Sequence, residues 1–311
     1  MLGITNIRFF NFKKRAIIFI MMKGLNKLKS YLKYFIALLL FGSNGIVASS
    51  ISLTSYEIVL LRTFIGSLLL ILIFLLTRQK FTFYKNKKHL ICLIVSGMAM
   101  GTSWIFLFEA YAQIGVSIAS LAYYCGPVIV MALSPIIFKE RLTVQKILCF
   151  IAVLIGISLI NIQAVSDGKT VFGLFCGGMS AVMYAVMVIF NKKAESMTGL
   201  ENSTLQFFVS FITVAIFVGI KQGFNIHIPK TDIIPILVLG LVNTGIGCYF
   251  YFSSIGKLPV QTVAVCGYLE PLSAVIFSVV FLHEDMSFTK ILGAVFIIGG
   301  AVISELKKQS P

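Results

Sequence analysis

A carboxylate and a guanidinium stand in stretches that otherwise offer only hydrocarbon. Glu270 immediately precedes Pro271 midway along the apolar run 259–282, and Arg62 lies six residues into the run 56–77. A charge at the centre of a bilayer costs at least about 2.5–3.5 kcal/mol, so it normally faces a cavity or a partner. For Glu270 that means contact with a solute, reversible protonation, or a hydrogen bond that fixes packing of the bundle. Pro271 adds a second polar group, because it deprives the carbonyl of Gly267 of its helical donor. Arg62 is near enough to an interface to snorkel. Glu57 and Glu109 are expected at similar depth, where either could pair with it structurally or as part of an outer gate.

Other side chains gather by helical spacing. Tyr123 and Tyr124 lie one turn before Pro127, and Tyr268 lies just before Glu270, so their hydroxyls either meet a polar or aromatic solute or pack with one bond satisfied. Gly97, Gly101, Trp104, Phe108 and Tyr111 share one helical face. So do Gly240, Asn243, Thr244, Gly247 and Tyr251, and so do Gly177, Ala181 and Tyr184. Small residues more often mark helix-packing seams. Trp104, Asn44, Tyr184 and Asn243, however, carry groups that lipid would waste. The candidate solute contacts are therefore Glu270, Tyr268, Tyr123, Tyr124, Trp104, Asn44, Tyr184 and Asn243, with Pro127 and Pro271 as helix kinks.

The elements that must position these residues follow from composition. Of 311 residues 58% are hydrophobic and 12% charged, and mean hydropathy is +0.98. Soluble domains carry about 25% charged residues, so the solvent for most of this chain is lipid. A spanning helix needs about 20 apolar residues. On that basis ten spans fall near 33–51, 56–77, 90–112, 117–138, 143–162, 171–190, 203–221, 232–252, 259–282 and 287–304. The expected fold is an all-α integral membrane protein.

The net charge of +15 lies at the ends of the apolar runs, which speaks for membrane orientation and against a nucleic-acid surface. Of the 26 Lys and Arg, Lys169, Lys221, Lys230 and Lys290 fall on one side, Arg62 within a span, and the other 21 on the opposite side. Both termini are expected in the cytoplasm. Residues 1–32 form a basic cytoplasmic segment and 306–311 a tail. The stretch from Met22 onward reads as a complete start, which leaves residues 1–21 as a basic lead-in or an artefact of start-site choice; a cleaved signal peptide is the rival reading. The six cysteines have no paired or metal-type spacing and read as small packing residues.

A shift of 144 residues aligns the chain with itself. Thr54, Glu57, Leu61 and Phe64 match Thr198, Glu201, Leu205 and Phe208, and Gly101 and Phe106 match Gly245 and Phe250. Pro127, Ser134, Glu140, Lys146 and Gly156 match Pro271, Ser278, Glu284, Lys290 and Gly300. This divides the chain into five-helix repeats at 33–165 and 166–305. Five is odd, so the second repeat enters the membrane from the opposite side. Such inverted repeats place the solute near the midplane between them. The loop 138–146, FKERLTVQK, keeps its Glu and Lys in LHEDMSFTK at 282–290 but loses its basic character, as expected of a copy on the far side.

Several motifs resemble the drug/metabolite transporter superfamily in its EamA-type ten-helix branch. They are FGSN at 41–44, Arg62, and the paired segments AYAQIGVSIASLAYYCGP (110–127) and SIGKLPVQTVAVCGYLEP (254–271). Phe41 stands where that family often has Trp. The resemblance implies a cavity between the halves and a secondary transporter of small organic metabolites such as amino acids, working outward by alternating access, with no cofactor. The implied partners are a small-molecule solute and membrane lipids, in a monomer or a homodimer. Nothing resembles a nucleotide-binding loop, so the drive is a gradient or exchange. An intramembrane enzyme would need clustered His, Asp, Ser or metal ligands, yet His89, His227 and His283 lie at loops or span ends. The remaining alternative is a non-transporting membrane partner or a channel-like permease.

Overall fold

The computed structural model of the chain describes residues 28–138, 144–166, 170–197, 199–255, 258 and 267–305. Lys139, Glu140 and Arg141, the stretch 259–266 with Cys266, and the segments 1–27 and 306–311 lie outside the described residues. Among the described residues there are helices and turns and no strand. The helices are α1 (Leu28–Ser49, with a turn residue at Ser43), α2 (Ser55–Leu76), α3 (Lys87–Ile114), α4 (Val116–Tyr123) and α5 (Gly126–Phe138). They continue with α6 (Val144–Ser166), α7 (Val171–Lys193), α8 (Gly199–Lys221), α9, α10 (Leu269–Leu282) and α11 (Phe288–Glu305). α9 runs without a break through Ile233–Leu237, a π-helical Val238–Ile246, and Gly247–Ile255.

Six segments are long and apolar enough to cross a membrane: α1, α2, α3, α7, α8 and Lys230–Tyr251. Shorter apolar helices cover Val116–Val130, Ile147–Gly156, Leu269–Leu282 and Phe288–Gly300. Their outward faces are apolar, as with Leu72, Ile91, Phe175, Ile216 and Val295, each about half exposed or more. Water would not support such a surface; lipid does. α1 begins ahead of its apolar run, at Leu28, and the Lys33 ammonium settles over the rings of Tyr249 and Phe250, 5.4 and 5.7 Å from their centroids.

Local signals explain the helix starts. Thr54 and Glu57 form a capping box at α2. Asn86 accepts from the His89 amide at α3, and Thr170 from the Gly173 amide at α7. Pro127 and Pro271 each fall in the first turn of a helix, α5 and α10, where an amide donor has no intrahelical partner to lose.

Without a hydrophobic drive inside lipid, helices associate through close packing and interhelical hydrogen bonds. The extensive α3–α7 interface uses both. The Ser103 hydroxyl donates to the Ser180 carbonyl at 2.7 Å, and Ser96 to the Met187 carbonyl at 2.8 Å. Gln206 on α8 donates to the Ser96 hydroxyl at 3.0 Å and accepts from Asn191 at 2.8 Å. α3 also packs closely on α8: a Cβ at Gly101 would meet the Ser210 carbonyl at 2.9 Å, and one at Gly97 the Gln206 carbonyl. These two glycines are seam residues, so the face they share with Trp104 divides into a packing half and an aromatic half. α6 and α11 form a separate close pair.

The α3–α8 contact yields a direct test. Gly101→Leu should destabilise the detergent-solubilised protein by about 1–3 kcal/mol through overpacking. Gly178→Ala, where a Cβ meets nothing within 4 Å, should hold or raise the melting temperature. Equal melting temperatures for the two variants would show that the seam is not close-packed.

Candidate functional site

The π-helical stretch of α9 organises the centre of the bundle. Its wider turn carries Asn243 and Thr244, both buried. Thr244 donates to the Leu239 carbonyl five residues back, at 2.7 Å, the spacing of a π turn. That bond leaves its oxygen free to accept from Arg62 Nε at 3.2 Å. Asn243 uses its amide on the interruption in α1, donating to the Leu40 carbonyl and Ser43 Oγ at 2.9 Å each, and to Asn44 Oδ1 at 3.3 Å. Asn44 and Asn243 are thus joined, with α1 and α9 locked together where both depart from regular helix.

Arg62 does not snorkel. It is 3% exposed and turns inward, because α3 offers it two aromatic faces. The guanidinium carbon stands 4.3 Å from the Trp104 ring centroid and 4.8 Å from that of Phe108. Cation–π contacts of this kind contribute about 2 kcal/mol each when desolvated. The structure also separates Arg62 from its expected partners: Glu57 closes the α2 capping box, and Glu109 accepts from Gln113 at 3.1 Å. The nearer acid is Glu270, which lies within electrostatic range of the guanidinium. Among the described residues, Arg62 makes one side-chain hydrogen bond out of the five N–H groups a guanidinium carries.

Glu270 enters from the first turn of α10, which packs against α1 and α4. Arg62, Tyr111, Tyr123, Tyr251 and Cys248 lie within electrostatic range of its carboxyl, and Tyr124 is directed at it. The tyrosines form a wall: Tyr123 meets Tyr124 and Tyr184 edge-on at 5.2 and 5.1 Å, and Tyr111 packs on Phe108 at 5.2 Å. The buried Tyr124 hydroxyl is directed at the Glu270 carboxyl, and among the described residues it has no other hydrogen-bond partner. Tyr268, by contrast, is 7% exposed and packs within the apolar core.

The structure therefore brings Arg62, Trp104, Tyr123, Tyr124, Tyr184 and Glu270 around one centre, with Asn44 and Asn243 behind Arg62. Glu57 and Glu109 lie elsewhere. Chemically this is a cation with spare donors among the described residues and a carboxylate within electrostatic range, in aromatic surroundings.

Three carboxylates with no such role predicted bind backbone across the chain instead. Glu284 accepts from the Val116 amide at 2.7 Å, the Ser117 amide at 3.0 Å and the Ser117 hydroxyl, capping α4. Gly115 makes room for it, having a φ of +87° and no Cβ to strike the carboxylate. Asp232 accepts from the Ser52 amide and hydroxyl at 2.7 and 2.6 Å. Glu201 accepts from the Thr82 amide and hydroxyl and from the Phe83 amide. The signal available in sequence was the recurrence of Glu284 and Glu201 at the 144-residue shift, which marks positions but not partners.

The sequence profile of the EamA-like transporter family matches residues 28–162 and again 171–306. The uncharacterized transporter YxxF of Bacillus subtilis (strain 168) is 25% identical over 292 residues, 91% of each chain. An uncharacterized transporter of Helicobacter pylori (strain ATCC 700392 / 26695) is 24% identical over 284 residues, 85% of this chain and 93% of the other. Protein PecM of Dickeya dadantii (strain 3937) is 21% identical over 213 residues, 68% and 71% of the two chains. One solved crystal structure shares the fold with a TM-score of 0.62 at 18% identity, over 89% of this chain and 98% of that one.

Trp104 is the single tryptophan of the chain, so its emission reports the Arg62 contact. Arg62→Gln should shift that emission, whereas Lys230→Gln, at the bundle end, should not. Identical spectra for Arg62→Gln and the unaltered protein would contradict the stacking.

Proposed function

The chain belongs to the EamA-like transporter family, and from that premise we propose that it is a secondary transporter of small zwitterionic metabolites of the amino-acid type, moving them outward across the cell membrane. The observation that carries this reading is Arg62, a buried guanidinium that among the described residues makes one side-chain hydrogen bond and closes on no carboxylate, with aromatic rings against it and Glu270 within electrostatic range. A solute carboxylate fits the guanidinium, whose fork accepts it bidentately. A solute ammonium fits Glu270, and the tyrosine and tryptophan rings take its side chain. Tyr124 supplies a hydroxyl beside the Glu270 carboxyl.

The same reading takes the chain as ten transmembrane helices in two inverted five-helix repeats, 33–165 and 166–305, with both termini cytoplasmic. Two successive matches to one family profile support the division into halves. The carboxylate ties support rocking between them. Glu284 and Asp232, in the second half, hold the first half at Val116–Ser117 and Ser52; Glu201 holds it at Thr82–Phe83. By chain order the first two ties lie at one end of the bundle and the third at the other, as two gates would. Opening one side requires breaking its ties, and closing the other reforms them.

Counterflow into proteoliposomes tests this reading. An unlabelled amino acid inside should accelerate uptake of its labelled form. Arg62→Gln and Glu270→Gln, each verified as folded, should lose at least about tenfold of that rate, since a charge-assisted hydrogen bond contributes about 1.5–3 kcal/mol. Flux that never saturates and shows no acceleration by internal solute would instead identify a channel. No exchange with any amino acid, nucleoside or quaternary amine would refute transport of these classes.

A further inference from the structure

A cavity lies apart from Arg62 and Glu270, on the flank of the bundle. It measures about 240 Å³ and is lined by α3 (Thr102, Ile105, Phe106, Glu109), α7 (Phe172, Cys176) and α8 (Thr213, Phe217, Lys221), with Tyr56 of α2 at its rim. Its lower part is apolar in practice. Thr102 and Thr213 turn their hydroxyls back to the Met98 and Val209 carbonyls at 2.9 Å each, which leaves their methyl groups for the groove. It opens sideways beside Phe172, which is 52% exposed, among the exposed Val171, Phe175, Ile216 and Ile220 of the lipid-facing belt. A cavity of this size falls below the roughly 300–1,000 Å³ typical of pockets for drug-sized molecules. An acyl chain, which enters from the membrane and needs only a narrow apolar slot, suits a cavity of this size and lining.

The rim carries two opposite charges. Lys221 ends α8 and donates to Tyr56 Oη at 3.1 Å, with its ammonium 4.4 Å from the Tyr56 ring centroid. Glu109 accepts from Gln113 through one oxygen. Both act electrostatically on Cys176 between them, yet among the described residues they form no ion pair with each other. A cation and an anion held apart over an apolar slot match a headgroup with the reverse pair of charges.

The geometry points to a bound zwitterionic phospholipid of the phosphatidylethanolamine type. Its phosphate sits on Lys221 and the Tyr56 hydroxyl, its ammonium on Glu109, and one acyl chain lies in the groove between α3, α7 and α8. This site does not depend on which solute Arg62 and Glu270 would hold.

Native mass spectrometry of the purified full-length chain tests it, with phosphatidylethanolamine, phosphatidylglycerol and diacylglycerol of equal chain length as probes. The unaltered protein should retain one phosphatidylethanolamine about tenfold more tightly than either other lipid. Lys221→Gln should lose that retention, Glu109→Gln should level the two phospholipids, and Thr213→Trp, which fills the slot, should expel all three. Trp104 emission checks that the two charge variants are folded. Equal retention of phosphatidylethanolamine and diacylglycerol, or unchanged retention in Lys221→Gln, would overturn the site. Equal retention of the two phospholipids by the unaltered protein would overturn its headgroup assignment.

Discussion

A guanidinium buried among hydrocarbon is the constraint from which the centre of this bundle follows. Arg62 cannot be left unsolvated there, and each departure from regular packing nearby serves it. Trp104 and Phe108 supply aromatic faces in place of water. The π turn of α9 frees Thr244 to accept from Nε while its own proton stays bonded within the helix. Asn243, on the same turn, then anchors the interruption in α1. Glu270, brought in by the first turn of α10, offsets the charge without capturing it. The result is a polar centre that is compensated but not saturated, a condition a transporter site must meet. A closed ion pair would leave nothing for a solute to do.

The frame around that centre is rigid for different reasons. α3 is pinned to α7 and α8 by serine, asparagine and glutamine bonds to backbone and to one another, and by glycines that let backbones approach. These contacts sit within the helices. The carboxylate ties sit at the ends, in Glu284, Asp232 and Glu201, and each engages backbone amides of a distant segment. Hydrogen bonds near water are the easier ones to exchange, so the ties at the ends are the weaker part of the frame and the serine, asparagine, glutamine and glycine contacts at the middle the stiffer.

Much of this was legible in the sequence, and the limits of legibility have physical causes. Hydropathy placed the six long apolar helices, since about 20 apolar residues have one use in a chain of this composition. The rarity of charge in lipid singled out Arg62 and Glu270. The unpairing of Arg62 from Glu57 was less visible, because Glu57 competes for a local role: Thr54 three residues earlier makes a capping box. The inward turn of Arg62 depends on which face α3 presents, and periodicity gives a face but not its neighbour. Gly97 and Gly101 share a face with Trp104, yet meet α8 while Trp104 meets Arg62. The π stretch has no sequence signature, and Asn243 and Thr244 acquire their roles only from its geometry. Glu284 recurs with Glu140 at the 144-residue shift, but its grip on Val116 and Ser117 spans well over a hundred residues.

The central claim is that Arg62 and Glu270 hold opposite ends of one solute. It is tested most directly by the affinities of a transported amino acid, its amine-only analogue and its carboxylate-only analogue for Arg62→Gln and Glu270→Gln. The account predicts that Arg62→Gln weakens the carboxylate-bearing ligands about tenfold and spares the amine, and that Glu270→Gln does the reverse. Equal losses for all three ligands in both variants would contradict it.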